Sequence, residues 1–325
     1  MNPQSSSFPA PVFISSCDIQ RAVPFPDAVK LLESFLLAGF DPERDGLRST
    51  LKTGRGLFLQ MPSTSGNYTG TKLLTISPEN ASSNLPVIQG LYALFGGPDQ
   101  RPLAVLDGTA LTNLRTPAVS ALGALRLTSP GPKNLLIFGT GPQAWEHVKA
   151  FSTVLTLNRV GIVGRNPGAA KSLSARAAGL GLKSKVCSTD EVANADLIIC
   201  CTGSAEPLFD GSQVKDTAVV IAIGSHEPAR RELDDALMAH ASICVESLRT
   251  SQLEAGDIIQ AMESGAIEGP DCLITLADIV SGHKRIQHGR PAVLKTTGMP
   301  WQDLAIATAA YEAIASKVGD SVLVS

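Results

Sequence analysis

Asn134-Leu-Leu-Ile-Phe-Gly139-Thr140-Gly141-Pro142-Gln143-Ala144 is the stretch on which the fold turns. A short apolar run rises into G-x-G-x-x-A, and a helix-compatible segment, Gln143 to Thr156, follows it. Strand, glycine turn and helix in that order suit a dinucleotide pyrophosphate. Gly139 permits the tight turn, Gly141 lets backbone N–H groups approach the phosphates, and Ala144 lets the helix pack close to the strand. The partial positive charge at the helix N-terminus favours the anion. Thr140, Pro142 and Gln143 belong to the same expected cofactor-binding turn.

Outward from this turn, apolar runs alternate with helix-like segments. Leu135–Phe138, Arg159–Val163, Leu182–Cys187, Asp196–Cys201, Ala218–Ile223 and Ile243–Glu246 read as six strands. Ala169–Leu180, Ser188–Ala193 and Glu232–Ala239 read as helical segments between them. Continuous apolar strands alternating with helices predict a parallel sheet covered on both faces, here a doubly wound Rossmann domain. Before Lys133 the pattern changes. A helix near Pro26–Leu37 is followed by closely spaced runs at Gly56–Met61, Gly70–Ile76, Pro86–Tyr92 and Arg101–Leu106, separated by the turn-rich Pro62–Asn67, Ser77–Asn80 and Gly96–Asp99. Such spacing predicts an antiparallel sheet in a separate α+β domain. Asp303–Lys317 reads as a helix returning to that domain. The expected division is 1–116 plus 304–325 for substrate binding and dimerisation, and 117–303 for the cofactor.

The 325 residues suit two domains, and 44% apolar with 18% charged residues describes an ordinary globular chain. A net charge of -3 gives no reason to expect nucleic acid or an anionic membrane as partner. No window is apolar for the roughly 18 residues of a membrane helix. Met1–Ala10 is polar and Pro/Ser-rich, and reads as a frayed tail rather than a leader. Six cysteines without a C-x-x-C pair point to a reduced, cytoplasmic protein. The five histidines show no ligand spacing, so no metal is expected.

The end of the second Rossmann strand bears on cofactor choice. NAD-binding folds place an acid there for the ribose 2′-OH. Here it reads Val160-Gly-Ile-Val-Gly164-Arg165-Asn166, with no acid and with an Arg able to pair a 2′-phosphate. This predicts NADPH, with NADH the alternative. Topology adds Thr202-Gly203 after the fourth strand and Ile223-Gly224 after the fifth as cofactor contacts.

Three further segments resemble the ornithine cyclodeaminase/mu-crystallin family. They are Tyr68-Thr-Gly-Thr-Lys72-Leu, Val105-Leu-Asp107-Gly108-Thr-Ala-Leu-Thr112-Asn113-Leu-Arg115-Thr116-Pro-Ala118-Val-Ser120-Ala, and Ala222-Ile-Gly224-Ser225-His226-Glu-Pro228-Ala-Arg-Arg-Glu232-Leu-Asp234. The likeness runs from about Arg48 to Ala310. It implies a small amino- or imino-acid substrate whose carboxylate is held at Arg48, Lys72 and Arg115. It also implies cofactor contacts at Thr116, Asn166, Thr297 and Gly298, and a homodimer paired through the first domain's sheets. A buried carboxylate needs such charge-assisted partners, since it gives up strong solvation.

One departure from the family separates the activities. The cyclodeaminases carry an Asp within a G-G-D-x-P loop. This chain reads Gly224-Ser225-His226-Glu227-Pro228, with His226 in the Asp position. The resemblance is therefore to the ketimine-reductase branch, with Δ1-pyrroline-2-carboxylate to L-proline favoured and Δ1-piperideine-2-carboxylate to L-pipecolate next. The imine nitrogen needs a proton, and a histidine's unperturbed pKa of about 6.5 suits proton exchange near neutrality. His226 and Ser225 both stand as proton sources, and prior protonation of the imine would need neither. Competing activities are an ornithine cyclodeaminase or alanine dehydrogenase working with NAD, and a non-catalytic NADPH-binding protein.

Overall fold

A computed structural model describes residues 10–83 and 85–322. In chain order, β1 (Val12–Ile14), α1 (Ser16–Ala22) and α2 (Phe25–Leu37) precede β2 (Ser49–Thr53), β3 (Gly56–Ser65), β4 (Tyr68–Ile76), β5 (Ile88–Gly96) and β6 (Arg101–Asp107). The long α3 (Gly108–Leu127) leads to β7 (Lys133–Phe138), α4 (Pro142–Val154), β8 (Leu157–Val163), α5 (Pro167–Gly179) and β9 (Ser184–Val186). Then come β10 (Leu197–Cys200), β11 (Val219–Ala222), α6 (Asp235–His240), β12 (Ser242–Val245), α7 (Leu248–Glu254) and α8 (Gly256–Glu263). β13 (Leu273–Thr275), α9 (Leu276–Ser281), β14 (Ala292–Lys295) and α10 (Pro300–Val322) complete the chain. Among the described residues no helix is long and apolar enough to cross a membrane.

The chain divides into two compact units. The first draws on Met1–Pro24, Asp45–Thr112 and Pro300–Ser325, and the second on Phe25–Arg44 and Asn113–Met299. Helix α2, placed with the first domain by sequence reading, groups with the second unit. It packs against α4 and α9 there, and buries Ala28, Val29, Leu32 and Leu36.

The first unit is a six-stranded sheet in the order β1-β6-β5-β4-β3-β2. It is mixed rather than purely antiparallel, because β1 lies parallel to β6. Sequence reading missed β1, which has three residues, and β2, whose five residues are all exposed and show no apolar alternation. The stretch Pro62–Asn67 is not a loop. β3 continues to Ser65, and the hairpin closes on Gly66-Asn67, with Gly66 at φ +56° in the first central position that such turns reserve for glycine. Helix α10 packs on β3, β4 and β5 over a core that includes Leu59, Met61 and Leu74. It extends beyond the expected Asp303–Lys317 at both ends.

The second unit is a parallel eight-stranded sheet, β13-β12-β14-β11-β10-β7-β8-β9. Its central strands β10, β11, β12 and β14 are buried at every residue, and β10 and β11 read as unbroken apolar runs for that reason. The sheet has two strands more than the six expected. The place beside β11 belongs to β14, not to Ile243–Val245, because β14 inserts between β11 and β12. Ser188–Ala193 falls on a 3₁₀ helix, Thr189–Asn194, with Ser188 as its N-cap, and not on an α-helix. Asp234 accepts the Leu237 N–H as an N-cap, so α6 starts after Glu232 and leaves that residue in the preceding loop.

Candidate functional site

The glycine turn sits at the carboxyl end of β7, where β7 neighbours β10 and the strand order reverses. This is where doubly wound sheets bind their ligands. Gly139 has φ +116°, and a Cβ on it would meet the Cys201 carbonyl oxygen at 2.5 Å. Gly141 is the N-cap of α4 and caps it with no side chain, while Pro142 opens the first turn. Apart from Gly141 itself and its two chain neighbours, none of the described residues has an atom within 4 Å of where a Gly141 Cβ would stand. The first N–H groups of α4 therefore face space that a side chain would fill, and the turn fits a pyrophosphate.

Behind the turn, Gln143 Nε2 donates to Asn113 Oδ1 at 3.0 Å, which ties α4 to α3. The His147 ring spans Ser120 Oγ at 2.9 Å and the Gln143 carbonyl at 2.7 Å. Burial holds the His147 pKa down to about 4, against the pull of the Gln143 carbonyl. Thr116 is buried on α3, and its hydroxyl has no hydrogen-bond partner among the described residues. Past β8, Arg165 is exposed. Asn166 serves α5 as N-cap, its Oδ1 accepting from Gly168 N at 2.9 Å and Ala169 N at 3.1 Å.

The loops after β10 and β11 carry the next set. The backbone N–H and the hydroxyl of Thr202 donate to Glu232 Oε1 at 2.8 and 2.7 Å, and the Gly224 N–H donates to Glu232 Oε2 at 2.8 Å. Gly203 is exposed, and its carbonyl accepts from Arg230 Nη1 at 2.6 Å. The Ser225 hydroxyl donates to the Arg230 carbonyl, so its proton serves the loop itself. His226 is half-buried in that loop. Glu227, the loop's one acid before Pro228, is exposed and faces Arg230 at 3.4 Å.

Arg115 is 8% exposed on α3. Its guanidinium lies against Gly298, where an added Cβ would stand 2.7 Å from Nη2. Gly298 has φ +83°, and its N–H and that of Thr297 both donate to Glu246 Oε2 at 2.8 Å.

In the first unit, Lys72 points inward from β4 and is 1% exposed. Its ammonium lies 2.7 Å from Asp303 Oδ2 and 3.2 Å from Thr112 Oγ1. Beside it, Tyr92 pairs with Lys72 across β4 and β5, and its phenol is pushed well up by burial and then by Asp303 and Asp45. Arg48 is half-buried just before β2. The structure thus places Gly139–Gln143, Thr202, Gly203, Gly224 and Arg165 at the carboxyl ends of the parallel strands. Arg115 meets Gly298 in that unit, while Lys72 and Arg48 belong to the first. Glu232, Glu246 and Asp303 escaped the sequence reading, since an isolated acid carries no spacing signal of its burial.

A doubly wound sheet with a glycine-turn anion site in one unit and a smaller mixed sheet in the other are the build of a two-unit nicotinamide-dependent oxidoreductase. The model of the ornithine cyclodeaminase/mu-crystallin family matches residues 39–318, and the chain belongs to that family. It is 30% identical over 315 residues to a Delta(1)-pyrroline-2-carboxylate reductase of Colwellia psychrerythraea, covering 93% of this chain and 99% of that one. It is 31% identical over 318 residues to the ketimine reductase mu-crystallin of Rattus norvegicus, covering 94% and 98%. Two solved structures share the fold. One is the Thermococcus litoralis Delta(1)-pyrroline-2-carboxylate reductase in complex with NADH and L-proline, with TM-score 0.86, 24% identity and coverage of 94% and 98%. The other is an archaeal alanine dehydrogenase dimer with bound NAD, with TM-score 0.86, 25% identity and coverage of 94% and 97%.

Proposed function

We propose that this protein reduces the C=N bond of a cyclic ketimine carboxylate, using a nicotinamide cofactor with NADPH preferred. Δ1-pyrroline-2-carboxylate to L-proline is the favoured reaction, and Δ1-piperideine-2-carboxylate to L-pipecolate is the second. The observation that carries the choice of reaction is the loop Gly224–Pro228. Its only carboxylate, Glu227, is exposed and faces Arg230, so the loop offers no buried anion for deamination chemistry. The relatives named as reductases at 30 and 31% identity support the same reading.

The residues divide the work by chemistry. Arg115, Lys72 and Arg48 bind the substrate carboxylate, which is bonded to the reacting carbon and so fixes where that carbon lies. Asp303 holds the Lys72 ammonium in one place. Gly139–Gln143 with Thr116 bind the cofactor phosphates. Thr202, Gly203, Ile223, Gly224, Thr297 and Gly298 shape the nicotinamide end, and Arg165 with Asn166 meets the adenosine ribose. The nicotinamide, when bound, supplies the hydride for the imine carbon. His226 gives the proton that the nitrogen takes up. Ser225, its hydroxyl turned to the Arg230 carbonyl, braces the loop that carries His226.

We also propose a homodimer paired through the first sheet. The face turned away from α10 exposes Phe13 by 70% and Leu51 by 65%, with Leu91 beside Leu73 between them. An apolar sheet face of this kind suits a second copy. The reaction is tested by offering both imines with NADPH and with NADH while following cofactor absorbance. L-Ornithine with ammonia detection and L-alanine with NAD serve as the competing substrates. Reduction of neither imine rejects the proposal.

A further inference from the structure

We infer that Glu232 is a positioning residue for the nicotinamide end of the site, its carboxylate setting the spacing of the two chains that leave β10 and β11. The inference rests on the cofactor reading proposed above. β10 and β11 run parallel and in register, Cys200 beside Ala222, and the last backbone bond between them runs from Ile223 N to the Cys200 carbonyl at 3.1 Å. Beyond that point both chains present an N–H group, Thr202 on one and Gly224 on the other. Two donors cannot bond each other. Glu232 resolves this by taking both, one on each carboxylate oxygen, at 2.8 Å.

The fit around this carboxylate is close. A Cβ on Gly224 would collide with the Thr202 carbonyl oxygen and stand 2.7 Å from Glu232 Oε1, so only glycine lets the two chains approach this far. Glu232 is itself aimed by a second buried acid. Asp257 Oδ1 accepts from the N–H groups of Glu232 and Leu233 at 2.7 and 2.8 Å, and Asp257 Oδ2 lies 3.0 Å from Lys295 Nζ. Lys295 ends β14 beside Ala222, so the ends of three neighbouring strands are tied through charges that solvent does not reach. Burial pushes the Glu232 carboxyl up, while Lys295 and the Thr202 hydroxyl pull it back down.

Glu232 is fully buried and reaches the site through the Thr202 and Gly224 N–H groups and the Thr202 hydroxyl. The chains it holds carry Thr202 and Gly203 on one side and Ser225 and His226 on the other. Hydride transfer is sensitive to sub-ångström placement of the reacting atoms, and a shift of about 1 Å costs on the order of a hundredfold in rate. A carboxylate that fixes the separation of these two chains therefore acts on turnover more than on cofactor affinity, which the remote phosphate turn dominates.

Glu232→Gln tests this with almost no change in shape. An amide has one acceptor oxygen, and its NH₂ must face either Thr202 N–H or Gly224 N–H, donor against donor. Thermal unfolding, reduced-cofactor binding by fluorescence, kcat and the isotope effect with cofactor deuterated at the transferred position are measured on the full chain. We expect a folded variant that binds cofactor within about threefold of the parent, with kcat down about 30- to 100-fold and a larger isotope effect. A folded variant with kcat and isotope effect within about twofold of the parent overturns the inference. Should Glu232→Gln not fold, Glu232→Asp, which keeps the charge but not the reach, carries the same test. If the parent binds cofactor yet reduces no imine, the proposed reaction fails and the inference is then judged on bound-cofactor emission alone. A shifted emission in the variant supports it, and an unchanged one overturns it. Failure of the parent to bind either cofactor overturns both.

Discussion

Buried acids do different work in the two units. In the second, Glu232, Glu246 and Asp257 accept backbone N–H groups, from Thr202 and Gly224, from Thr297 and Gly298, and from Glu232 and Leu233. In the first, Asp45 accepts the Trp301 N–H at 2.8 Å, while Asp303 faces a side-chain charge, the ammonium of Lys72. Each unit pairs one buried acid with a buried lysine, Asp257 with Lys295 and Asp303 with Lys72, but the second turns three acids to backbone N–H groups where the first turns Asp45. A buried carboxylate that accepts several N–H groups and one that meets a lysine also fail differently when altered.

The largest effect is expected at Arg115. Arg115→Ala should lower kcat/KM by about 3–5 kcal/mol of transition-state stabilisation, as when one member of a desolvated pair is removed. A loss below about tenfold in steady-state kinetics would show that Arg115 is no clamp.

Asp303→Asn should cost about 3 kcal/mol of stability, because it leaves the Lys72 charge in a buried place. Replacing both as Lys72→Met/Asp303→Leu should recover most of that loss in denaturant unfolding. Equal losses in the single and double variants would break the contrast between the units.

His147 gives the next effect, and its sign is set by a depressed pKa. The folded ring titrates at about 4 and an unfolded one near 6.5, so the unfolded chain binds the extra proton first. The contribution is fully present above about pH 6.5 and is lost as pH falls towards 4. It amounts to about 3 kcal/mol. Urea unfolding of the parent and of His147→Gln across that range should differ in slope by this one group. Parallel curves would remove His147 from the account.

Gly298→Ala should cost about 1–3 kcal/mol, from φ +83° and from the Arg115 guanidinium in the way of the new Cβ. The loss should show in KM for the imine more than in cofactor binding. A variant with parental KM would separate Arg115 from Gly298. Smallest is Arg165→Ala, expected to weaken NADPH about tenfold while leaving NADH within about twofold. Equal loss of both cofactors would mean that Arg165 does not meet a 2′-phosphate.

The sequence was most legible where burial is two-sided. β7, β10 and β11 have apolar side chains on both faces, and so stood out as unbroken runs bounded by glycine. β14 is as buried, but it is four residues long and follows a loop, and nothing local says that it inserts between β11 and β12. β2 failed for the opposite reason, since Ser49–Thr53 is wholly exposed and shows no apolar alternation. At the site, the glycine turn and the cations were readable because their chemistry is tied to motif and spacing. Glu232 lies within a family-like segment, but neither its spacing nor its neighbours in sequence mark it. Its importance comes from two N–H groups, Thr202 and Gly224, that only the folded sheet brings within reach of one side chain.

The claim that the chain is a ketimine-carboxylate reductase is tested most directly by product. The protein is incubated with Δ1-pyrroline-2-carboxylate and NADPH, and proline is resolved by chirality alongside oxidised cofactor. The account predicts L-proline in an amount equal to the cofactor oxidised. Bound cofactor with no proline above the enzyme-free control, or ammonia released from L-ornithine in its place, would contradict it.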